Sequence, residues 1–427
     1  MKVAFYTLGC KVNTYETQAV LNMFKNKKYN IVSFNDIADI YIINTCTVTN
    51  TSASKSRKII RHAINQNKDA IVVVMGCYSQ ISSDDIAKLG VNIIVGTNER
   101  SRIVELVEDY ISNKEKINIV GSIDDIPFED MEVSYLEGKT RAFVKIQDGC
   151  NNYCSYCIIP YTRGNVRSKD KDLVIDEITK LVNNGYLEIV LTGIHTGHYG
   201  FKDYSFSNLL KDVTKIEGLE RLRISSIEIT ELDDDFLDVL KNTDIIVNHL
   251  HIPLQSGCDK TLKEMNRKYN KKYFKDKINL IRSIRPDIAI TTDVIVGFPN
   301  EDEKDFKETY DFIKEIGFMS LHVFPYSKRE GTKAAIMSNQ VNGNVKKSRV
   351  SKLVALSKKL ELEYMTKYRG KEITIIAETI EDNYLIGHSS NYLKVKVLGD
   401  TTELGRKITC IVDKIEYPYC IAKRIYF

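Results

Sequence analysis

Short runs of β-branched and aromatic residues alternate along the chain with longer amphipathic stretches. In the first quarter, "KVAFYTL", "DIYIIN", "AIVVVMG" and "VNIIVG" are apolar at successive positions, the pattern of parallel strands covered on both faces. Their alternation with helical stretches predicts a doubly wound parallel α/β sheet over residues 1–112. The acidic, irregular stretch "GSIDDIPFEDMEVSYLEGKT" that follows is expected to be a linker, residues 113–140. From Arg141 the alternation restarts with "RAFVKIQ", "EIVLTG", "RLRISSIE", "HLHIPLQ", "IAITTDVIVG" and "SLHVFPYS". Amphipathic segments lie between these runs. In one of them Val174, Ile178, Leu181 and Val182 share a face before Gly185 ends the helix. Six βα units in a row predict a partial (β/α) barrel over 141–367, closed by a helical connector at about 344–367. Residues 368–427 change to short alternating runs broken by Gly and Asn, the pattern of a small all-β barrel.

Length and composition agree with two or three domains of an ordinary globular chain: 427 residues, 43% hydrophobic and 28% charged. No apolar run approaches the roughly 18 residues of a spanning helix, and the chain starts directly on a strand-like run, so neither membrane insertion nor secretion is expected. A cytoplasmic location follows. In that reducing compartment, clustered cysteines are more often metal ligands or catalysts than disulfides. The net charge of +4 neither demands nor excludes a nucleic-acid partner, so any such binding must come from local patches.

Three of the nine cysteines stand in "CNNYCSYC": Cys150, Cys154 and Cys157. They follow the first strand of the expected barrel, at the end where barrels of this kind build active sites. Three thiolates on one loop can hold three irons of a 4Fe-4S cluster and leave the fourth open to a small molecule. A zinc site completed by a distant His or Cys, and three unrelated buried thiols, are the alternatives at this point. The spacing C-x3-C-x2-C, with the aromatic Tyr156 before the last cysteine, resembles the radical S-adenosylmethionine superfamily, whose fold is a six-strand partial barrel. The resemblance implies that the open iron chelates the methionine moiety of S-adenosylmethionine, which is then cleaved to a 5'-deoxyadenosyl radical. It further implies that Thr192 and Gly193 in "LTG" meet the methionine amino group. By the same resemblance Gln255 and Ser256 in "PLQSG" touch the ribose, Ile295 packs on adenine, and Gly297 admits a close backbone approach. Read alone, a glycine at a strand tip is a turn residue.

A second set is independent of the first. Cys10, Cys46 and Cys77 each come directly after an apolar run, 36 and 31 residues apart, about one βαβ unit each. Parallel strands send their C-terminal ends to one edge, so the three thiols are expected to converge there. Any one of them read alone is a small buried hydrophobe. The fourth run has no cysteine at its tip, so this set too would leave an iron open.

Two three-cysteine sets in this order, with a radical barrel second and a small β-barrel last, resemble the methylthiotransferase family over essentially the whole chain. "PYTRGNVRS", "LTGIHTGHYG", "PLQSGCDKTLKEMNRKY", "IVGFPNE" and "FPYSKREGTKAA" stand where the family has counterparts. Within it, "LGCKVNTYET" at 8–17 resembles the branch that acts on threonylcarbamoyladenosine at tRNA position 37. The isopentenyladenosine branch and the branch that modifies a ribosomal protein are the sister readings. What the resemblance implies is two 4Fe-4S clusters, with S-adenosylmethionine as radical source and methyl donor. By the same resemblance the cluster of Cys10, Cys46 and Cys77 delivers sulfur to carbon 2, and the terminal β-barrel is an RNA-binding module of the TRAM type. The implied partners are the tRNA anticodon stem-loop, an electron donor such as flavodoxin or ferredoxin, and a sulfur donor. The terminal module itself is not strongly basic, with nine Lys and Arg against eight Asp and Glu.

A local patch helps where net charge does not. "SASKSRKIIRH" puts Lys55 and Lys58, and Arg57 and Arg61, one helical turn apart. Such a run is either a solvated helix face or a phosphate-contacting surface. Arg163, Arg167 and Lys169 invite the same two readings. His249 and His251 share a strand face and are expected to line the barrel, while Cys258, Cys410 and Cys420 are expected to be structural. A non-catalytic iron-sulfur RNA-binding or electron-transfer protein is the alternative from another class, but such a carrier has no need of six βα units with polar tips.

Overall fold

The computed structural model describes residues 1–133 and 140–425. The four apolar runs at the start form the parallel strands Lys2–Thr7, Ile40–Thr45, Ile71–Gly76 and Ile93–Ile94. Every residue of the two central ones is buried, because helices cover both faces of the sheet. Helix Lys11–Asn26 buries Val12, Tyr15, Ala19, Val20 and Phe24, a stripe at three- and four-residue spacing. Two further strands, Asn30–Val32 and Ile117–Asn118, extend the sheet at its edges. In space the six strands run second, first, third, fourth, fifth, sixth. The edge strands were not expected, since two or three residues carry no readable period.

Ile117–Asn118 falls inside the stretch expected as linker. Further along that stretch, Met131 and Val133 are buried in the barrel's core, and Glu129 pairs with the buried Arg100. Acidic neighbours hide these anchors from a composition reading. Residues 134–139 of the expected linker, and 426–427 at the end of the last module, lie outside the described residues.

Six parallel strands build the central domain: Arg141–Lys145, Glu188–Thr192, Arg221–Ile224, His249–His251, Ala289–Val296 and Ser320–Pro325. They form two sets of three, linked by a bridge between Leu222 and Ile246. Among the described residues the first and last strands do not pair, so the barrel is open along one side. Helix Lys171–Asn183 shows how its outer layer is specified. Asp170 caps its start, Val174, Ile178 and Leu181 are fully buried, and Gly185 follows its end with φ +91°.

Helix Gly343–Thr366 leads to a closed five-strand barrel of strands Glu372–Glu381, Tyr384–Ser389, Lys394–Leu398, Tyr419–Arg424 and Lys407–Glu416, in spatial order. Cys410 and Cys420 are buried in its core, and Cys258 is buried in the central domain. The small barrel docks at the N-terminal ends of the central strands. Arg221 donates to the carbonyls of His388 and Thr374 at 2.9 and 2.7 Å, and Arg141 pairs with Glu378 at 2.9 Å. No helix of the described residues is long and apolar enough to cross a membrane.

Candidate active site

Cys10 is the N-cap of helix Lys11–Asn26, Cys46 follows strand Ile40–Thr45, and Cys77 opens the short helix Cys77–Ile81. The strands that carry Cys10 and Cys46 are neighbours flanking the point where the sheet's strand order reverses, the usual ligand edge of doubly wound folds. Two glycines let these tips close up. Gly9 has φ +112°, and a Cβ there would lie 3.1 Å from that of Cys46. Gly76 has φ +103°, and a Cβ there would meet Asn44 at 2.4 Å. Between the tips, the Asn13 amide donates to the carbonyls of Leu8 and Thr45 at 2.8 and 3.1 Å, which stitches the Cys10 turn to the Cys46 turn.

The set of Cys150, Cys154 and Cys157 sits at the tip of the first barrel strand. Gln147 holds the loop's start, donating to the carbonyls of Asp148 and Gly149 at 2.7 Å each and accepting from the His195 N–H at 2.7 Å. Arg267 donates to the Cys154 sulfur at 3.3 Å, and Nδ1 of His195 stands 3.7 Å from the Cys150 sulfur. Burial pushes the Cys77 thiol up to about 11 and the Cys157 thiol up to about 12. Both therefore need added positive charge to become thiolate ligands.

A buried ion network joins the two sets. Glu16, on the helix that Cys10 caps, pairs with Lys145 at 2.9 Å, with Arg163 at 2.8 Å and closely with Arg100. Asp148, two residues before Cys150, pairs with Lys145 at 2.6 Å, Arg163 at 3.0 Å and Arg167 at 3.4 Å. Arg100 also pairs with Glu129 at 2.7 Å. Burial by itself raises the Glu16 and Asp148 carboxyls, but these cations hold both well below the usual carboxylate range. Arg163 then donates from Nε to the Cys77 sulfur at 3.2 Å.

These donor sets fit iron-sulfur clusters. In the network four cations, Arg100, Lys145, Arg163 and Arg167, meet three carboxylates, Glu16, Glu129 and Asp148. The surplus positive charge borders Cys77, where a thiolate-ligated cluster would supply the missing negative charge. Arg267 likewise touches the Cys154 sulfur, but its charge is already paired with Glu228. A single metal ion suits the sets poorly. Among the described residues, the group whose ligand atoms all lie within 4.8 Å of one another is His195, His198 and Glu231, and neither cysteine set is so tight.

The expected cofactor contacts are placed as follows. Tyr156 and Ile295 pack against one small apolar cluster of Met265, Phe298, Tyr326 and Ala334. Gln255, at φ +63°, bridges to Val294, and its carbonyl accepts from the Ile295 N–H at 2.9 Å. Thr192 is buried at its strand's tip, and a Cβ on Gly193 would press on Gln147. The Gly297 N–H donates to Glu301 at 2.9 Å. Ser256 has its hydroxyl 3.2 Å from that of Thr309 on the outer helix Glu303–Ile316, and the same hydroxyl accepts from the Cys258 N–H at 3.2 Å, so it shapes a turn.

Of the expected RNA contacts, Lys55, Lys58 and Arg61 are exposed on helix Asn50–Gln66, while Arg57 is half-buried and donates to the Tyr78 hydroxyl at 3.0 Å. Arg163 is corrected. It is fully buried in the ion network and has no surface to offer RNA. Lys169 is buried too, paired with Glu177 at 2.8 Å, and Arg167 is tied to Asp148 and to the carbonyl of Asn165. A basic residue near a cluster loop reads from sequence as a phosphate ligand; only its packing partners tell it apart from a buried counter-ion. His249 and His251 line the barrel, each 2.9 Å from the Thr291 hydroxyl.

Sequence reasoning missed Arg267, His195 and Arg329. Arg329, on the loop after the last barrel strand, donates to Thr47 and Asn50 at 2.5 and 2.6 Å beside Cys46 and so ties barrel to sheet a second time. His195 lies in "GIHTGHYG", whose paired histidines were the available signal. A cavity of about 260 Å³ opens between the three domains, with Lys11, Arg223, His249 and Tyr392 in its wall.

With this geometry in view, comparison with known proteins is direct. The Radical SAM superfamily matches residues 144–313, and the Uncharacterized protein family UPF0004 matches residues 2–96. The chain is 48% identical to the threonylcarbamoyladenosine tRNA methylthiotransferase MtaB of Bacillus subtilis, covering 98% of this chain and 95% of that one. It is 40% identical to the MtaB protein of Aquifex aeolicus over 96% and 100%. Identity falls to 33%, over 94% and 88%, with a tRNA-2-methylthio-N(6)-dimethylallyladenosine synthase of Thermoanaerobacter. Among solved structures, the radical S-adenosylmethionine methyltransferase TsrM from Kitasatospora setae superposes with a TM-score of 0.59 at 14% identity, over 78% and 77% of the two chains, which bears on the fold alone.

Proposed function

The chain belongs to the threonylcarbamoyladenosine tRNA methylthiotransferase family of radical S-adenosylmethionine enzymes, and from that membership we propose how its residues carry the reaction. It is a tRNA-modifying enzyme with two 4Fe-4S clusters and S-adenosylmethionine as cofactors, and it adds a methylthio group to threonylcarbamoyladenosine. The site is carbon 2 of that nucleoside at position 37, beside the anticodon. When bound, the barrel cluster supplies the electron that cleaves S-adenosylmethionine, and the N-terminal cluster is where sulfur is delivered. The observation that carries this reading is the second three-cysteine set, joined to the first through Arg163.

Cys150, Cys154 and Cys157 would hold one cluster, and Cys10, Cys46 and Cys77 the other. Arg267 and Arg163 place a cation beside one sulfur of each. Tyr156 and Ile295, both packed against one apolar cluster, offer an apolar wall for the adenine of S-adenosylmethionine, with Thr192, Gly193, Gln255 and Gly297 at the neighbouring strand tips. The Glu16–Arg163–Asp148 network fixes the two loops relative to each other, so that one nucleoside can reach both. Such positioning is what makes successive steps on one carbon possible. Lys55, Lys58 and Arg61, on the helix that follows Cys46, are the outer contacts for the anticodon stem-loop. The electron comes from a flavodoxin or ferredoxin type of donor and the sulfur from a separate donor, all in the cytoplasm.

The test is nucleoside mass spectrometry. Reconstituted, reduced enzyme with S-adenosylmethionine should convert tRNA bearing threonylcarbamoyladenosine to its methylthio form and leave dimethylallyladenosine tRNA unchanged. Conversion of the second substrate and not the first would move the chain to the sister branch.

A further inference from the structure

The cavity of about 260 Å³ between the domains draws on all three of them. Lys11 comes from the N-terminal helix, Arg223, His249 and His251 from barrel strands, and Tyr392 and Lys394 from the small barrel. Arg223 is 2% exposed. Its Nε donates to Glu188 at 2.8 Å, but Nη1 and Nη2 have no hydrogen-bond partner among the described residues, and neither has Nδ1 of His249. Buried donors are normally matched, because an unmatched one keeps its desolvation cost.

Charge points the same way. Glu188 faces three arginines at once, Arg141 at 3.7 Å, Arg221 at 3.6 Å and Arg223 at 2.8 Å. Arg141 has a second carboxylate in Glu378, but among the described residues Arg223 has only the shared Glu188. In the cavity's wall, Glu361 accepts from the Tyr417 hydroxyl at 3.0 Å, and behind the wall Asp293 is engaged with His251 at 3.3 Å. The Tyr392 ring lies 4.9 Å from the Arg223 guanidinium and stacks on His249, so the arginine is held in place with two donors free. Lys11, from the N-terminal helix, adds a second cation to the lining. It belongs to "LGCKVNTYET" and directly follows Cys10.

We propose that this cavity binds the carboxylate of the substrate's threonyl group, with Lys11 and Arg223 as the two cations that receive it. The assignment rests on threonylcarbamoyladenosine being the substrate. Dimethylallyladenosine has no anionic group, so the site discriminates between the two nucleosides by leaving the buried Arg223 unmatched when the wrong one enters. Because Lys11 adjoins Cys10, a nucleoside anchored there lies at the edge of the sheet that carries the N-terminal cysteines.

The experiment uses the full-length reconstituted protein and three anticodon stem-loop RNAs. One carries threonylcarbamoyladenosine, one its threonyl methyl ester, and one plain adenosine. Wild type should bind the acid roughly ten- to a hundredfold more tightly than the ester, the range for a charge-assisted hydrogen bond. Lys11→Gln and Arg223→Gln should each bring that ratio down to about threefold or less by weakening the acid alone, and Lys11→Arg should restore it. Circular dichroism checks folding, and Lys11→Gln, on the open wall, is the variant that decides if Arg223→Gln does not fold. Equal binding of acid and ester by wild type would overturn the proposal. So would equal weakening of all three RNAs by Lys11→Gln, which would make Lys11 a contact to an RNA phosphate. Failure of the proposed activity is seen separately: the acid RNA would bind with the expected preference yet give no methylthio product.

Discussion

Nε of Arg163 donates to Sγ of Cys77 at 3.2 Å, across the boundary between the barrel and the N-terminal sheet. Burial opposes its charge, but Asp148, Cys77 and Glu16 hold Arg163 protonated far above neutral pH. One side chain thus serves as domain tie and as cation beside a cysteine of the N-terminal set.

A hydrogen bond to a ligating sulfur favours the reduced cluster. Replacing Arg163 with Gln should therefore lower the potential of the N-terminal cluster. The expected shift is on the order of 40 mV, which corresponds to about 1 kcal/mol for a one-electron couple. Potentiometric titration followed by electron paramagnetic resonance, in a protein also lacking Cys150, Cys154 and Cys157, isolates that cluster. An unchanged potential in a folded variant would reduce Arg163 to a structural tie.

Glu16 is the anion on which three buried cations converge, Arg100, Lys145 and Arg163. Glu16→Gln leaves them short of charge, and breaking a buried pair in this way costs about 3–5 kcal/mol. The variant should unfold several degrees below wild type. The sign of the pH effect follows from the carboxyl's lowered pKa. Its contribution is complete above its unfolded value, near 4.5, and is lost as pH falls towards the folded one. The gap between variant and wild type should therefore narrow in thermal scans as pH drops below about 4.5; a gap that stays constant down to pH 3 would contradict the ion-pair account.

The two cysteine sets should come apart by mutation. With Cys150, Cys154 and Cys157 changed to alanine, iron should fall from about eight to about four per chain, and all cleavage of S-adenosylmethionine should stop. With Cys10, Cys46 and Cys77 changed instead, 5'-deoxyadenosine should still form, but no methylthio product. Some stability is lost in both, because metal binding is linked to folding. Product formed at the normal rate by the second, folded variant would mean that sulfur reaches the RNA by another route.

Lys55, Lys58 and Arg61 are the exposed cations of helix Asn50–Gln66. Reversing all three to glutamate should weaken tRNA binding and flatten its dependence on salt, since each lost phosphate contact removes a released counter-ion. Arg57 is left in place because it already serves Tyr78. A salt series with unaltered slope and affinity would return this run to an ordinary solvated face.

The sequence by itself determined the order of the three domains and the convergence of two cysteine sets. Both depend on local periodicity and on the rule that parallel strands end at one edge, which spacing along the chain reveals. Short edge strands such as Ile117–Asn118 stayed hidden, being too brief for a period, and so did the anchoring of Met131 and Val133 among acidic neighbours. Tertiary structure alone decided which of these charges face solvent and which are buried counter-ions. Arg163 and Lys58 look alike in sequence, yet one is sealed among Glu16, Asp148 and Cys77 and the other faces solvent. It also decided that Lys11 and Arg223, 212 positions apart in the chain, share one cavity. A charge acts through its distance and its dielectric surroundings, and both are fixed by packing between segments remote in sequence.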